Sequence, residues 1–228
     1  MAELITGLRA QTVRENLERL RKEIAQAVAR RPPGAAAPGT QDVEILAATK
    51  YVALGDLPLL AEAGIRLVGE NRAQDLQAKV AAHGELFQWD FIGQLQSRRV
   101  RLIVPHVRVI HSVASESALR ELARHREQAR AGMRILLEVN LAEEQGKAGI
   151  APRELDSFIE RAPVPVAGLM TMPPLSDDPE ASRPWFAALR ALAHERKLER
   201  LSMGTSQDYV VAVEEGATIV RIGTRLYH

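Results

Sequence analysis

Residues 201–224 read LSMGTSQDYVVAVEEGATIVRIGT. A short apolar run, Leu201–Met203, gives way to small and hydroxyl residues, Gly204-Thr205-Ser206, and then to a segment that leads into a helix and should end at Gly216. A second apolar run, Thr218–Ile222, follows and again ends in small residues, Gly223-Thr224. The pattern is strand, loop, helix, strand. It repeats upstream, with apolar runs at Ile45–Thr49, Leu67–Gly69, Phe91–Gly93, Val107–His111, Ile135–Leu141 and Val164–Met170. Eight such runs on one chain of 228 residues predict an α/β fold, a single-domain (β/α)8 barrel. The competing fold is an open doubly wound sheet, but no Gly-x-Gly-x-x-Gly turn follows the first run.

Helical punctuation fills most of the gaps. Ser115-x-x-Ala118 opens one helix and Pro152-x-Glu154 another; Pro179 through Lys197 should bury Trp185, Leu189 and Leu192 on one face. Gly64 falls at a helix end, as Gly216 does. Ahead of the barrel, Val13, Leu17, Leu20, Ile24 and Val28 mark an amphipathic helix within residues 1–30, which Pro32-Pro33-Gly34 must stop. Residues 31–40 are rich in Pro, Gly and Ala and read as a flexible surface loop. One domain over 1–228 is expected.

Composition removes several function classes. Thirty basic residues against 29 acidic leave a net charge of +1, which gives no reason to expect nucleic acid or an anionic membrane as partner. The basic cluster Arg98, Arg99 and Arg101 reads as a solvated helix face. Absence of cysteine excludes disulfides and thiolate chemistry and fits a reducing compartment. No segment has the length and apolarity of a membrane span or of a secretory signal. The six histidines show no metal-ligand spacing, and no nucleophile elbow or P-loop occurs. A soluble, cytoplasmic protein is expected. No hydrophobic stripe is left over once the core is assigned, so a monomer is expected too.

Chemistry is expected at the strand ends. Lys50 closes the first run, and a lysine there points into the barrel mouth, where these folds place their active sites. Partial desolvation would lower its proton affinity and make it a better amine nucleophile toward an aldehyde. The loops after the seventh and eighth runs are where barrels commonly bind phosphate; small residues admit the anion, and hydroxyls and free N–H groups hold it. Ordinary capping by Thr205 or Ser206, with Asp208 in the first turn, accounts for part of the same pattern. Gly69-Glu70-Asn71-Arg72-Ala73-Gln74 offers either ligand contacts or a capping box with Asn71 as cap. Asn140 is a further candidate for a buried polar role, whereas Met170 and Met172 read as core filler.

Taken in order, Thr49-Lys50, Gly69-Glu70-Asn71, Phe91-Ile92-Gly93 with Leu95-Gln96-Ser97, Val139-Asn140, Gly168-Leu169-Met170-Thr171, Leu201-Ser202-Met203-Gly204 and Val220-Arg221-Ile222-Gly223-Thr224 resemble the pyridoxal phosphate homeostasis proteins of the YggS/PROSC type. The resemblance spans Ile45 to Thr224. It implies a TIM-type barrel of the alanine-racemase N-terminal-domain type, with pyridoxal phosphate (PLP) as cofactor and Lys50 as the Schiff-base lysine. It places Ser202, Gly204, Gly223 and Thr224 at the phosphate, Asn71 beside the ring and Arg221 at the ring nitrogen. A guanidinium there disfavours a protonated ring, which makes the ring a poorer electron sink and restrains catalysis. The function implied is intracellular homeostasis of the cofactor, held on Lys50 and available for delivery to PLP-dependent apoenzymes, without turnover of a substrate. Asp90 stands where the family commonly has histidine, Arg98-Arg99 where it has Asn-Lys, and Gln207 changes the neighbour of Asp208.

The alternative is an amino-acid racemase or decarboxylase of the same fold type. Racemisation needs two bases, and resemblance assigns the second to a tyrosine from a further β-rich domain, which is not expected here with four residues after Thr224. A more distant alternative is a Schiff-base aldolase, whose lysine usually lies on a later strand.

Overall fold

The computed structural model describes residues 4–35, 42–144 and 146–228. Eight parallel strands close into a barrel in sequence order: β1 Glu44–Ala48, β2 Leu67–Glu70, β3 Gln88–Phe91, β4 Val109–Val113, β5 Arg134–Glu138, β6 Val166–Met170, β7 Arg200–Thr205 and β8 Ile219–Ile222. Each apolar run meets a strand, but the third is displaced: β3 ends at Phe91 and leaves Ile92 and Gly93 of the expected Phe91–Gly93 beyond it. The helices are α1 Ala10–Ala29, α2 Leu57–Glu62, α3 Ala73–His83, α4 Val100–Ile103, α5 Glu116–Arg124, α6 Leu155–Glu160, α7 Arg183–Glu195, α8 Tyr209–Glu214 and α9 Thr224–Tyr227. None is long and apolar enough to cross a membrane among the described residues.

Helix α1 buries Val13, Leu17, Leu20, Ile24 and Ala27 and packs on α8, α9 and α2. It begins at Ala10 rather than near the terminus. Gly7 adopts a left-handed φ of 71°, and Ile5 is extended, bridging Val52 in parallel. The helix stops at Arg30, before Pro32, and Arg31 ties the exit to the barrel by donating to Val213 O and Ala217 O. Of the Pro/Gly/Ala-rich loop, residues 36–40 lie outside the described residues.

Ser115 caps α5 through the Ala118 N–H, and Gly64 and Gly216 take left-handed φ values after α2 and α8. Helix α7 turns Phe186, Leu189 and Ala193 inward, one residue round from the expected face of Trp185, Leu189 and Leu192.

Side chains alternate across each strand. Outward residues such as Ala47, Val68, Trp89 and Ile110 join the helices in the main core. Inside the barrel, Leu46, Leu67, Val109, Leu136, Met170 and Ile219 form a second apolar cluster. Polar groups share that interior: Asp90, His111, Ser202 and Arg221 are all buried.

One irregularity positions the site. Ser202 pairs with Ile219, but the next partnership is Thr205 with Arg221, so β7 carries one extra residue. Gly204, at φ +89°, sits in that bulge.

Candidate active site and cofactor cavity

Lys50 follows β1 by two residues, at the C-terminal mouth of the barrel. The strand end beneath it is anchored by buried charge. Lys79 Nζ donates to Thr49 O at 2.7 Å and to Glu70 Oε1 at 2.6 Å, and Thr49 Oγ1 donates to the same carboxylate oxygen at 2.7 Å. Ile5 braces the other side, its N–H donating to Tyr51 O at 2.6 Å and its carbonyl accepting from Ala53 N. Lys50 itself is solvent-exposed, with Nζ 4.9 Å from the centre of the Tyr51 ring. The expected desolvation is therefore not met: β1 ends at Ala48, and the following turn carries the lysine out of the barrel wall.

Lys50, Asn71, Arg221, Gly223 and Thr224 line one cavity of about 400 Å³. Residues from the first, second and last strand ends thus converge as expected. Ser206, which belongs to the quoted loop but not to the expected site set, also lines it. Its hydroxyl accepts from Gly223 N at 3.1 Å and so joins the loops after β7 and β8.

Ser202 and Gly204 do not line this cavity, although Gly204 lines a smaller adjoining one with Thr205, Gln207 and Arg221. Ser202 is fully buried, its hydroxyl between His111 Nδ1 and Arg221 Nη1. Gly204 faces α8: a Cβ there would stand 2.6 Å from Ala212 Cβ and 2.9 Å from Tyr209 Cα. The bulge explains both placements, since it hands the wall position on to Thr205 and Ser206. Capping also differs. Asp208, not Thr205 or Ser206, is the N-cap residue of α8, and its Oδ1 accepts from Thr205 N at 2.7 Å and Thr205 Oγ1 at 3.0 Å.

Asn71 is not a helix cap. Arg72 occupies that position in α3, without side-chain capping, and Asn71 Oδ1 is buried with no hydrogen-bond partner among the described residues. A buried amide oxygen without a donor costs free energy. In a cavity wall it is a place prepared for a ligand's donor or an ordered water.

Arg221 supplies the cation. Nη1 donates to Ser202 O at 2.7 Å and Ser202 Oγ at 2.6 Å; Nη2 donates to Thr171 O at 3.1 Å and approaches Met172 Sδ at 2.8 Å. Burial pushes it down to about 10, so it remains charged at neutral pH. Among the described residues it makes no ion pair with a carboxylate. Burial holds Glu138 above the usual carboxylate range, partly offset by Arg221. Tyr227 lines the cavity and donates to Ala48 O at 3.2 Å; burial holds its proton far above the usual range.

Asn140 serves its own loop instead of the cavity, with Nδ2 donating to Glu144 O and Oδ1 accepting from Glu144 N. Strand β5 has already ended at Glu138. Met172 is the reverse case: read as filler, it is 45% exposed and lines the cavity. No local pattern separates a lining methionine from a core one.

The family model described as alanine racemase, N-terminal domain, matches residues 36–228. The pyridoxal phosphate homeostasis protein of Aquifex aeolicus is 36% identical, with 93% of this chain and 96% of that protein covered. PipY of Synechococcus elongatus PCC7942, solved with PLP bound, is 31% identical with a TM-score of 0.76, over 95% of this chain and 100% of that one. Alanine racemase from Corynebacterium glutamicum shares the fold alone, at 15% identity and a TM-score of 0.65, with all of this chain matching 63% of that one. On the matched length, the identity over nearly the whole chain and the closed barrel, this chain belongs to the pyridoxal phosphate homeostasis protein family, built on the alanine racemase N-terminal domain.

Proposed function

We propose that this chain binds pyridoxal phosphate at the barrel mouth, carries it covalently on Lys50 and serves cofactor homeostasis rather than substrate turnover. The observation that carries the reading is convergence. An exposed amine, a buried amide oxygen without a donor and two joined strand-end loops share one cavity of about 400 Å³, a volume suited to a small cofactor. A relative so named and a neighbour solved with PLP bound support it.

The residues fit the group. Bound pyridoxal phosphate supplies an aldehyde that condenses with a lysine amine, releasing water, and a ring that can accept electrons. Lys50 supplies the amine. Ser206 and Thr224 would offer hydroxyl donors to the phosphate, and Gly223, without a side chain, would let it approach, with Ser202 and Gly204 acting from behind. Asn71 Oδ1 would be free to accept a hydrogen bond from the cofactor. Arg221 places a fixed positive charge against the ring, which disfavours a second positive charge there. Tyr227, held protonated, is a hydrogen-bond donor and a poor proton acceptor, which argues against a two-base racemase. The open mouth and exposed lysine suit release of the cofactor to apoenzymes.

The test mixes purified protein with pyridoxal phosphate, records the visible absorption band, and locates the borohydride-reduced adduct by peptide mass. Lys50→Ala should lose both band and adduct. A normal band in that variant would remove the assignment; rapid turnover of a free amino acid by the wild type would remove the non-catalytic reading.

A further inference from the structure

A line of polar side chains, half-buried at its start and buried from Asp90 onward, crosses the barrel interior and ends on Arg221. At the closed end, Glu44 accepts from Arg108 Nη1 at 2.6 Å and Nη2 at 3.0 Å, and it also pairs with Arg200. Arg108 donates to both oxygens of Asp90, at 3.1 and 2.9 Å. Asp90 Oδ1 also accepts from Val109 N at 3.1 Å. Asp90 Oδ2 lies 3.1 Å from His111 Nε2, His111 Nδ1 lies 2.8 Å from Ser202 Oγ, and Ser202 Oγ receives Arg221 Nη1 at 2.6 Å. Asp90 and His111 are completely enclosed, as is Ser202.

Donor chemistry gives the line one direction. Arg221 can only donate, so Ser202 Oγ accepts from it. The serine proton then points to His111 Nδ1, the sole acceptor in reach on that side among the described contacts. Nδ1 is thus unprotonated, and the ring proton sits on Nε2 and is donated to Asp90. Hydrogen-bond logic assigns the tautomer. Burial and the Arg221 and Arg108 cations hold His111 below its usual range despite Asp90. Burial would raise Asp90, but hydrogen bonds from His111 and Arg108 hold it down as a carboxylate.

We infer that Asp90, His111 and Ser202 are positioning residues, a one-way hydrogen-bond line that fixes the Arg221 guanidinium in the cavity floor. Arg221 sets the direction at one end, and the aspartate, which can only accept, secures it at the other. An amide at position 90 can donate to Nε2, which moves the ring proton to Nδ1. Ser202 Oγ would then face donors from both His111 and Arg221, and its own proton would have no acceptor. A merely space-filling core would not notice an isosteric change. The effect on the cofactor rests on the reading given under Proposed function; the effect on Arg221 does not.

The experiment uses the full chain without cofactor. It reads the His111 ring nitrogens by 15N NMR and the exchange of the Arg221 side-chain N–H protons, then measures pyridoxal phosphate affinity by titration. The wild type should show the Nε2–H tautomer and slowly exchanging Arg221. Asp90→Asn should show Nδ1–H, exchange faster by about tenfold and affinity weaker by about tenfold, the size of one charge-assisted hydrogen bond. Ser202→Ala should speed Arg221 exchange while leaving Nε2–H in place. Unchanged exchange at Arg221 in folded Ser202→Ala, or an unchanged tautomer in folded Asp90→Asn, overturns the inference; if Asp90→Asn does not fold, Ser202→Ala decides it. Failure of the wild type to bind the cofactor would count against the functional reading, while the NMR results would still decide the line.

Discussion

At Asn71 the amide oxygen is enclosed and meets no donor among the described residues, so it costs stability unless a ligand's donor or an ordered water meets it. Asn71→Ala should leave the ligand-free protein as stable as wild type or more stable by about 1 kcal/mol, while weakening pyridoxal phosphate binding; urea melts and a binding titration measure the two effects. Lys79 behaves oppositely. Its ammonium meets Glu70 Oε1 at 2.6 Å with both side chains nearly fully buried. Lys79→Met would strand a carboxylate in the core and should cost about 3–5 kcal/mol, read as a lower urea midpoint. Lys50, exposed and without such ties among the described residues, can become alanine with a change within about 0.5 kcal/mol. The two lysines are neighbours in space, and burial alone separates the structural one from the chemical one.

The bulge in β7 shows how one element steers the site. Gly204 combines a left-handed φ with close approach to Ala212 and Tyr209. Gly204→Ala should therefore cost about 1–3 kcal/mol and, by displacing the loop that holds Ser206, loosen phosphate contacts. A fall in both the urea midpoint and the affinity for inorganic phosphate is the expected result. Helix α1 is held by a narrow apolar face on α8 and α9. Leu20→Ala, at a buried position of that face, should cost about 2–5 kcal/mol, with no change at the cavity.

Across the whole molecule, acid sensitivity follows from groups buried in the barrel and beneath it. His111 and His106 are both held below their usual range by burial. The unfolded chain therefore binds their protons first, near the ordinary histidine value of about 6.5. Stability is fully present above that pH and falls as pH drops below it. Asp90, also depressed, adds a further loss below about 3.9. Glu138, raised by burial, works the other way: its penalty is relieved as pH falls through its folded value. Urea midpoints between pH 5 and 8 should decline toward the acid end, and His111→Asn should flatten that decline.

The sequence by itself determined the barrel, the place of Lys50 at the end of β1 and the pairing of small-residue loops after β7 and β8. These are local matters: apolar periodicity, glycine and proline punctuation and chain order carry them, and each is legible within a dozen residues. Only the tertiary structure decided which loop residues face the cavity. The extra residue at Gly204 shifts the register and moves the wall from Ser202 to Ser206, and no alternation pattern announces such a bulge. It alone also joined Asp90, His111, Ser202 and Arg221, whose successive separations are 21, 91 and 19 residues. Closing the sheet brings inward side chains of distant strands together, and that contact has no counterpart along the chain.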